Sequence, residues 1–267
     1  MKFLSILLIA FSLPFSLFGQ VPEKFPPSMT PKGAYGIMDP FSIDQMMEEL
    51  PGFGGSAREM LQQQSIKPYL MPVRKAPSKS EESAYLVSTC LEYYVNRENN
   101  FKANLSPDFI TINLRKSASQ RLSDVLSVLI ERGTVSAAVV PYQSTTISDA
   151  AFSVQSYKIV NFLHIFRELS PARQSIFEVK KALLRGHPIL VEVKADQDFR
   201  AATGTKNVSP GAPDEIQSLL VVGFDESLGA FEVLTCRGYE WGQNGYAFMR
   251  YDEFEKAALN GYVLVTE

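Results

Sequence analysis

The chain has 267 residues, 45% of them hydrophobic, enough to bury one large core or two modest lobes. Its formal charge of -3, with no basic run or stripe, argues against a nucleic-acid partner. Two cysteines are too few for a disulfide framework, and the two histidines show no metal-ligand spacing, so no metal and no other cofactor is expected.

In chain order, Met1-Lys2, the apolar run from Phe3 to Phe18, then Gly19-Gln20 and the polar Val21-Pro22-Glu23-Lys24 predict a signal peptide over residues 1–20. Serines and a proline interrupt the run, and it is short for a membrane span, so the mature chain is expected to be exported, periplasmic or secreted, with no stable membrane span. Export would permit a bridge between Cys90 and Cys236, yet both are expected to stay free thiols. Residues 21–64, rich in Pro, Gly, Met and Gln, read as an N-terminal extension with short helices at 43–50 and 57–63.

The main domain spans 65–267. Its first half is helical: Ala84, Val87, Leu91, Tyr94 and Val95 share one face, and Leu122, Val125, Leu126, Leu129 and Ile130 share another before a stop at Gly133. The second half turns to short β-branched or aromatic runs at 189–193, 219–224, 230–235, 246–249 and 262–265. Helices are expected before Gly186, on Ile176, Val179 and Leu183, and at 252–259. His164 in an apolar run and His187 before a strand read as packing or surface residues. Helices first and strands later give an α+β class with two unlike lobes.

The C-terminal stretch carries the most specific pattern. Leu219-Leu220-Val221-Val222-Gly223-Phe224-Asp225 precedes Ala230-Phe231-Glu232-Val233-Leu234-Thr235-Cys236-Arg237-Gly238, then Trp241-Gly242-Gln243-Asn244-Gly245-Tyr246. Together with Pro72-Val73-Arg74, Leu105-Ser106-Pro107-Asp108-Phe109, Gly133 through Pro141-Tyr142, and the run from Val179 to Ile189, this resembles the papain-like cysteine peptidases over 65–267. The resemblance implies a papain-like two-lobed fold: a helical left lobe, an antiparallel β-barrel-like right lobe, and a cleft between them.

It also implies where the site lies. Laid on the family pattern without a gap, Ala76 takes the oxyanion-hole glutamine, Glu82 the nucleophilic cysteine and Ser83 the tryptophan after it. Counting back from Val222-Gly223-Phe224, Gln217 takes the histidine, Thr235 the asparagine and Arg237 the tryptophan that shields that pair. The separations of Gln217 and Thr235 from Glu82 fit the roughly 130–150 residues that such enzymes show. Ser119-Gln120 replace a glycine pair that meets substrate backbone, and Trp241 matches a tryptophan on the leaving-group side.

Thiolate chemistry needs a low-pKa cysteine at a helix start and a histidine to carry its proton, and neither residue type stands at these positions. The resemblance therefore implies a pseudopeptidase, without catalytic residues, that binds a protein or peptide. An active cysteine-type peptidase with a non-standard site, and a structural subunit of an envelope complex, are the alternatives. Ser83, Ser119, Gln120, Cys236, Arg237 and Trp241 are the cleft or binding candidates. Two readings of Glu82 stand side by side: Ser78 and Glu81 have capping-box spacing, so Glu81 and Glu82 suit a helix's first turn, and Glu82 can also pair with Arg237 across the cleft.

Overall fold

The computed structural model describes residues 36–49, 62–99, 102–114, 121–209 and 215–266. The expected signal peptide, Ser119, Gln120 and all but the last two residues of the expected 57–63 helix lie outside these; of those two, Gln63 opens a strand. No helix among the described residues is long and apolar enough to cross a membrane.

Seven α-helices are described: α1 (Pro40–Glu49), α2 (Glu82–Asn99), α3 (Pro107–Asn113), α4 (Leu122–Glu131), α5 (Ala172–Leu184), α6 (Gln197–Ala201) and α7 (Tyr251–Ala257). The strands are β1 (Gln63–Ser65), β2 (Asn161–Arg167), β3 (Ile189–Ala195), β4 (Glu215–Asp225), β5 (Ala230–Leu234), β6 (Tyr246–Arg250) and β7 (Ala258–Val265). They form one antiparallel sheet in the order β2-β7-β3-β4-β5-β6, with β1 extending the row on β4 beyond the end of β3. The path is open, with β2 and β6 at its two ends.

Side chains alternate between two cores. Ile189, Val191 and Val193 of β3 and Leu219 and Val221 of β4 face Val179 and Leu183 of α5, Phe254 of α7 and Met46 and Met47 of α1. Leu190, Leu220 and Val222 face the other way, onto Leu86 and Cys90 of α2 and Leu126 of α4. A sheet covered on both faces reads as unbroken apolar runs instead of alternation, which is why these strands stand out in the sequence. Helix α2 is buried from Ser83 to Val95, well beyond the single apolar face read from its periodicity, because it lies between the helical layer and the sheet.

Local signals account for several boundaries. Helix α4 buries Leu122, Val125, Leu126 and Leu129, and Gly133 follows it at φ +73°, where a Cβ would sit 2.5 Å from the Tyr157 carbonyl. Ser106 caps α3 by accepting from the Phe109 N–H at 3.1 Å, with Pro107 in the first turn. Asn244 and Gly245 both have positive φ and close a two-residue hairpin between Gln243 and Tyr246, the combination a type I′ turn demands.

Three expectations are corrected. The 252–259 helix ends at Ala257, and Ala258 and Leu259 already belong to β7, whose partner β2 the apolar run around His164 did not reveal as a strand. The capping box does not form: the Ser78 hydroxyl lies 2.7 Å from that of Ser80, and a 3-10 turn, Lys79–Glu81, stands between Ser78 and α2. The strand expected to start at Leu219 starts at Glu215, which places Gln217 within the sheet.

Candidate cleft site

Glu82 is the first residue of α2, Gln217 the third of β4, and Arg237 lies just past β5. The chain before α2 is laced onto that last segment, with Lys75 bridging Arg237 and the Ala76 N–H donating to the Cys236 carbonyl at 2.8 Å. Ala76, Glu82, Gln217 and Arg237 therefore converge where the helical layer meets the sheet.

Arg237 organises the group. Its Nη2 lies 3.0 Å from Glu82 Oε1 and 3.1 Å from Oε2, and donates to Gln217 Oε1 at 2.6 Å. Gln217 donates from Nε2 to Glu215 Oε1 at 2.9 Å. Glu215 in turn receives Arg200 Nη1 at 2.5 Å and pairs with Lys79 through its other oxygen. The Arg237 and Glu82 side chains are 19% and 13% exposed. Burial pushes the Glu82 carboxyl above its ordinary range, against the pull of Arg237. A guanidinium keeps its proton at any accessible pH, so within this pair only the Glu82 carboxyl can exchange one, and both its oxygens are held by Arg237.

Two cavities meet at Ser78, Lys79 and Glu82. One, of about 510 Å³, is walled by Ser83, Gln217, Ser218 and Glu192; the other, of about 350 Å³, by Ala76, Arg200, Arg237 and Trp241. Ser83 and Ser218 tie α2 to β4 through hydroxyls 2.9 Å apart. Glu192, opposite Ser218 in the β3/β4 register, is buried, and accepts from the Leu122 N–H at 3.0 Å and from Asn260 Nδ2 at 2.8 Å.

The other expected positions are more buried, with Cys236 and Trp241 lining the smaller cavity from the core. Thr235 is buried, and its hydroxyl has no hydrogen-bond partner among the described residues. Cys236 is buried too, and desolvation pushes its thiol up to about 12, so it is not a ready nucleophile. Trp241 sits in the core, donating from Nε1 to the Phe199 carbonyl at 2.9 Å with its ring edge-on to Phe199. Both cysteines are free and buried. Neither histidine lines the two cavities: His187 bonds the Tyr94 hydroxyl at 3.1 Å, and His164 stacks on Tyr262 beside Asn260.

Sequence reasoning missed Glu215, Arg200, Glu192 and Ser218. Glu215 carried a signal, since it sits two residues before Gln217 and so on the same face of a strand. A carboxylate inside the apolar run Ile189–Ala195 was likewise a mark of Glu192's buried bonds. Arg200 arrives from a separate short helix, and nothing in its local sequence links it to Glu215.

No family model and no curated protein matches the chain. Solved structures do. Xylellain, a cysteine protease from Xylella fastidiosa, matches with a TM-score of 0.66 and 16% identity over 81% of this chain and 91% of that one. The cysteine protease CMS1MS2 of Carica candamarcensis gives 0.61 and 14% over 77% and 99%, and the bromelain protease of Ananas comosus 0.60 and 16% over the same shares. Likeness at such low identity is likeness of fold, and the fold of this chain is the α+β, two-lobed one of the papain-like cysteine proteases.

Proposed function

We propose that this protein is an exported pseudopeptidase: a papain-type frame, catalytically inactive, whose cleft binds a protein or peptide. The reading is supported by the cluster of Glu82, Arg237 and Gln217, three residues joined by bonds of 2.6 to 3.1 Å, which the family resemblance lays near the positions of a thiol and an imidazole. Such a cluster has no thiolate and no imidazole, and its one acid, Glu82, has both oxygens held against Arg237 as hydrogen-bond acceptors instead of facing a leaving amine. Ala76 contributes no side-chain donor to an oxyanion. What remains is a polar, partly buried groove with fixed donors, suited to holding a chain without cutting it.

The test uses the purified mature chain, incubated with a thiol-directed epoxide inhibitor of cysteine peptidases and, separately, with casein. No adduct on the native protein and no casein fragments are expected, while peptides from a casein digest are retained on the immobilised protein. An adduct, or casein cleavage that the inhibitor abolishes, would make it an active cysteine-type peptidase. Export is checked by N-terminal sequencing of the protein recovered from its native host, which is expected to begin near residues 20–22.

A further inference from the structure

Two cations stand apart from the ion-pair network, one on each cavity. Lys75, on the smaller one, has a side chain 70% exposed and reaches only the still more exposed Glu240, at 4.0 Å. Arg121, on the larger one, is exposed, and its side chain makes no hydrogen bond or ion pair with another described residue. Because the cavities share Ser78, Lys79 and Glu82, they form one groove with an available cation in each part.

The acids along this groove are largely committed. Glu82 holds Arg237 with both oxygens, Glu215 behind the wall holds Lys79 and Arg200, and both oxygens of Glu192 are taken by Leu122 and Asn260. Glu240 is the exposed acid among the lining residues, and it already stands against Lys75. The groove thus presents cations in a protein whose overall charge is -3, so its character is local and is not a reflection of net charge.

We propose that the ligand of this groove is an acidic peptide segment whose carboxylates meet Lys75 in one cavity and Arg121 in the other. The proposal rests on the peptide-binding reading above and names the chemistry of its partner. Its exposed pairs are each weak, and together they select by charge more than they add affinity.

Three fluorescein-labelled octapeptides, alternating Gly with Glu, with Gln or with Lys, are titrated with the mature protein and followed by anisotropy. At about 50 mM salt the Glu peptide is expected to bind about fivefold tighter than the Gln peptide, with the Lys peptide weakest; at about 500 mM salt the difference vanishes through screening. The double variant Lys75→Gln/Arg121→Gln, altered only at exposed side chains, is expected to bind the Glu and Gln peptides about equally while keeping its melting temperature and its affinity for the Gln peptide. A Gln peptide bound as tightly as the Glu peptide, or an unchanged preference in the double variant, overturns this proposal and leaves the peptide-binding reading standing. Absence of binding by all three peptides overturns both.

Discussion

Arg237 decides the character of the cleft, because among the described residues it is the one that bonds both Glu82 and Gln217. Replacing it by Met leaves a mostly buried carboxylate without its hydrogen-bonded countercharge, Lys79 and Arg200 acting on it less strongly, and the expected cost in urea unfolding is about 2–4 kcal/mol. Adding Glu82→Gln to that variant removes the stranded charge and is expected to recover about half the loss; equal stability of the single and double variants would show that the two side chains are not coupled. The thiols give a second check at this scale. Cys90 and Cys236 are buried, with thiols raised by desolvation, so a thiol reagent is expected to find neither in the native protein and two after unfolding. A Glu82→Cys variant is expected to gain one natively reactive thiol, since that position combines a helix N-terminus with the Arg237 guanidinium.

Elements show how far periodicity carries. Helices α2 and α4 and strands β3 to β6 follow from apolar spacing and turn residues, because two sequence-distant cores each demand a full apolar face. Strand β2 was not legible: His164 breaks its apolar run, and only Tyr262 and Asn260 of the facing strand, 96 to 98 residues on, give that ring its stacking and hydrogen bond. The turn at Asn244-Gly245 is held by residue types that accept positive φ twice in succession, which few others do. Its strictness predicts that Gly245→Ala costs about 2 kcal/mol or more in chemical denaturation, since the new Cβ would meet Val73 Cγ1 at 2.5 Å in a left-handed conformation. Gly229→Ala, also at positive φ but with only the Tyr251 ring in ordinary contact at 4.0 Å, is expected to cost about 1 kcal/mol.

At the scale of the molecule, His187 links stability to pH. Burial, with Arg97 and Arg185 nearby, lowers its pKa to about 4, so the fold holds the neutral ring while the unfolded chain takes up a proton near the ordinary 6.5. The contribution is therefore fully present above about 6.5 and is lost as pH falls through about 4, a swing of about 3 kcal/mol. Glu82, Glu92 and Asp108, whose carboxyls burial raises, act with the opposite sign: their share is present below the ordinary carboxylate range and fades as pH rises. Unfolding of wild type and His187→Gln at pH 7 and pH 4 separates the two, and the variant is expected to lose less stability on acidification.

The residues expected at the site came from the family resemblance; by itself the sequence determined the class, the two unlike lobes and the helix stop at Gly133. These follow from spacing along the chain, which is all that helix faces, strand pleats and φ-restricted turns require. Tertiary structure alone decided that Arg237 reaches Glu82 and Gln217 together, that Glu215 and Arg200 extend the network, and that Cys236 and Trp241 turn inward. An ion pair or a desolvated thiol is a matter of distance and burial between residues far apart in the chain, and no local pattern records either.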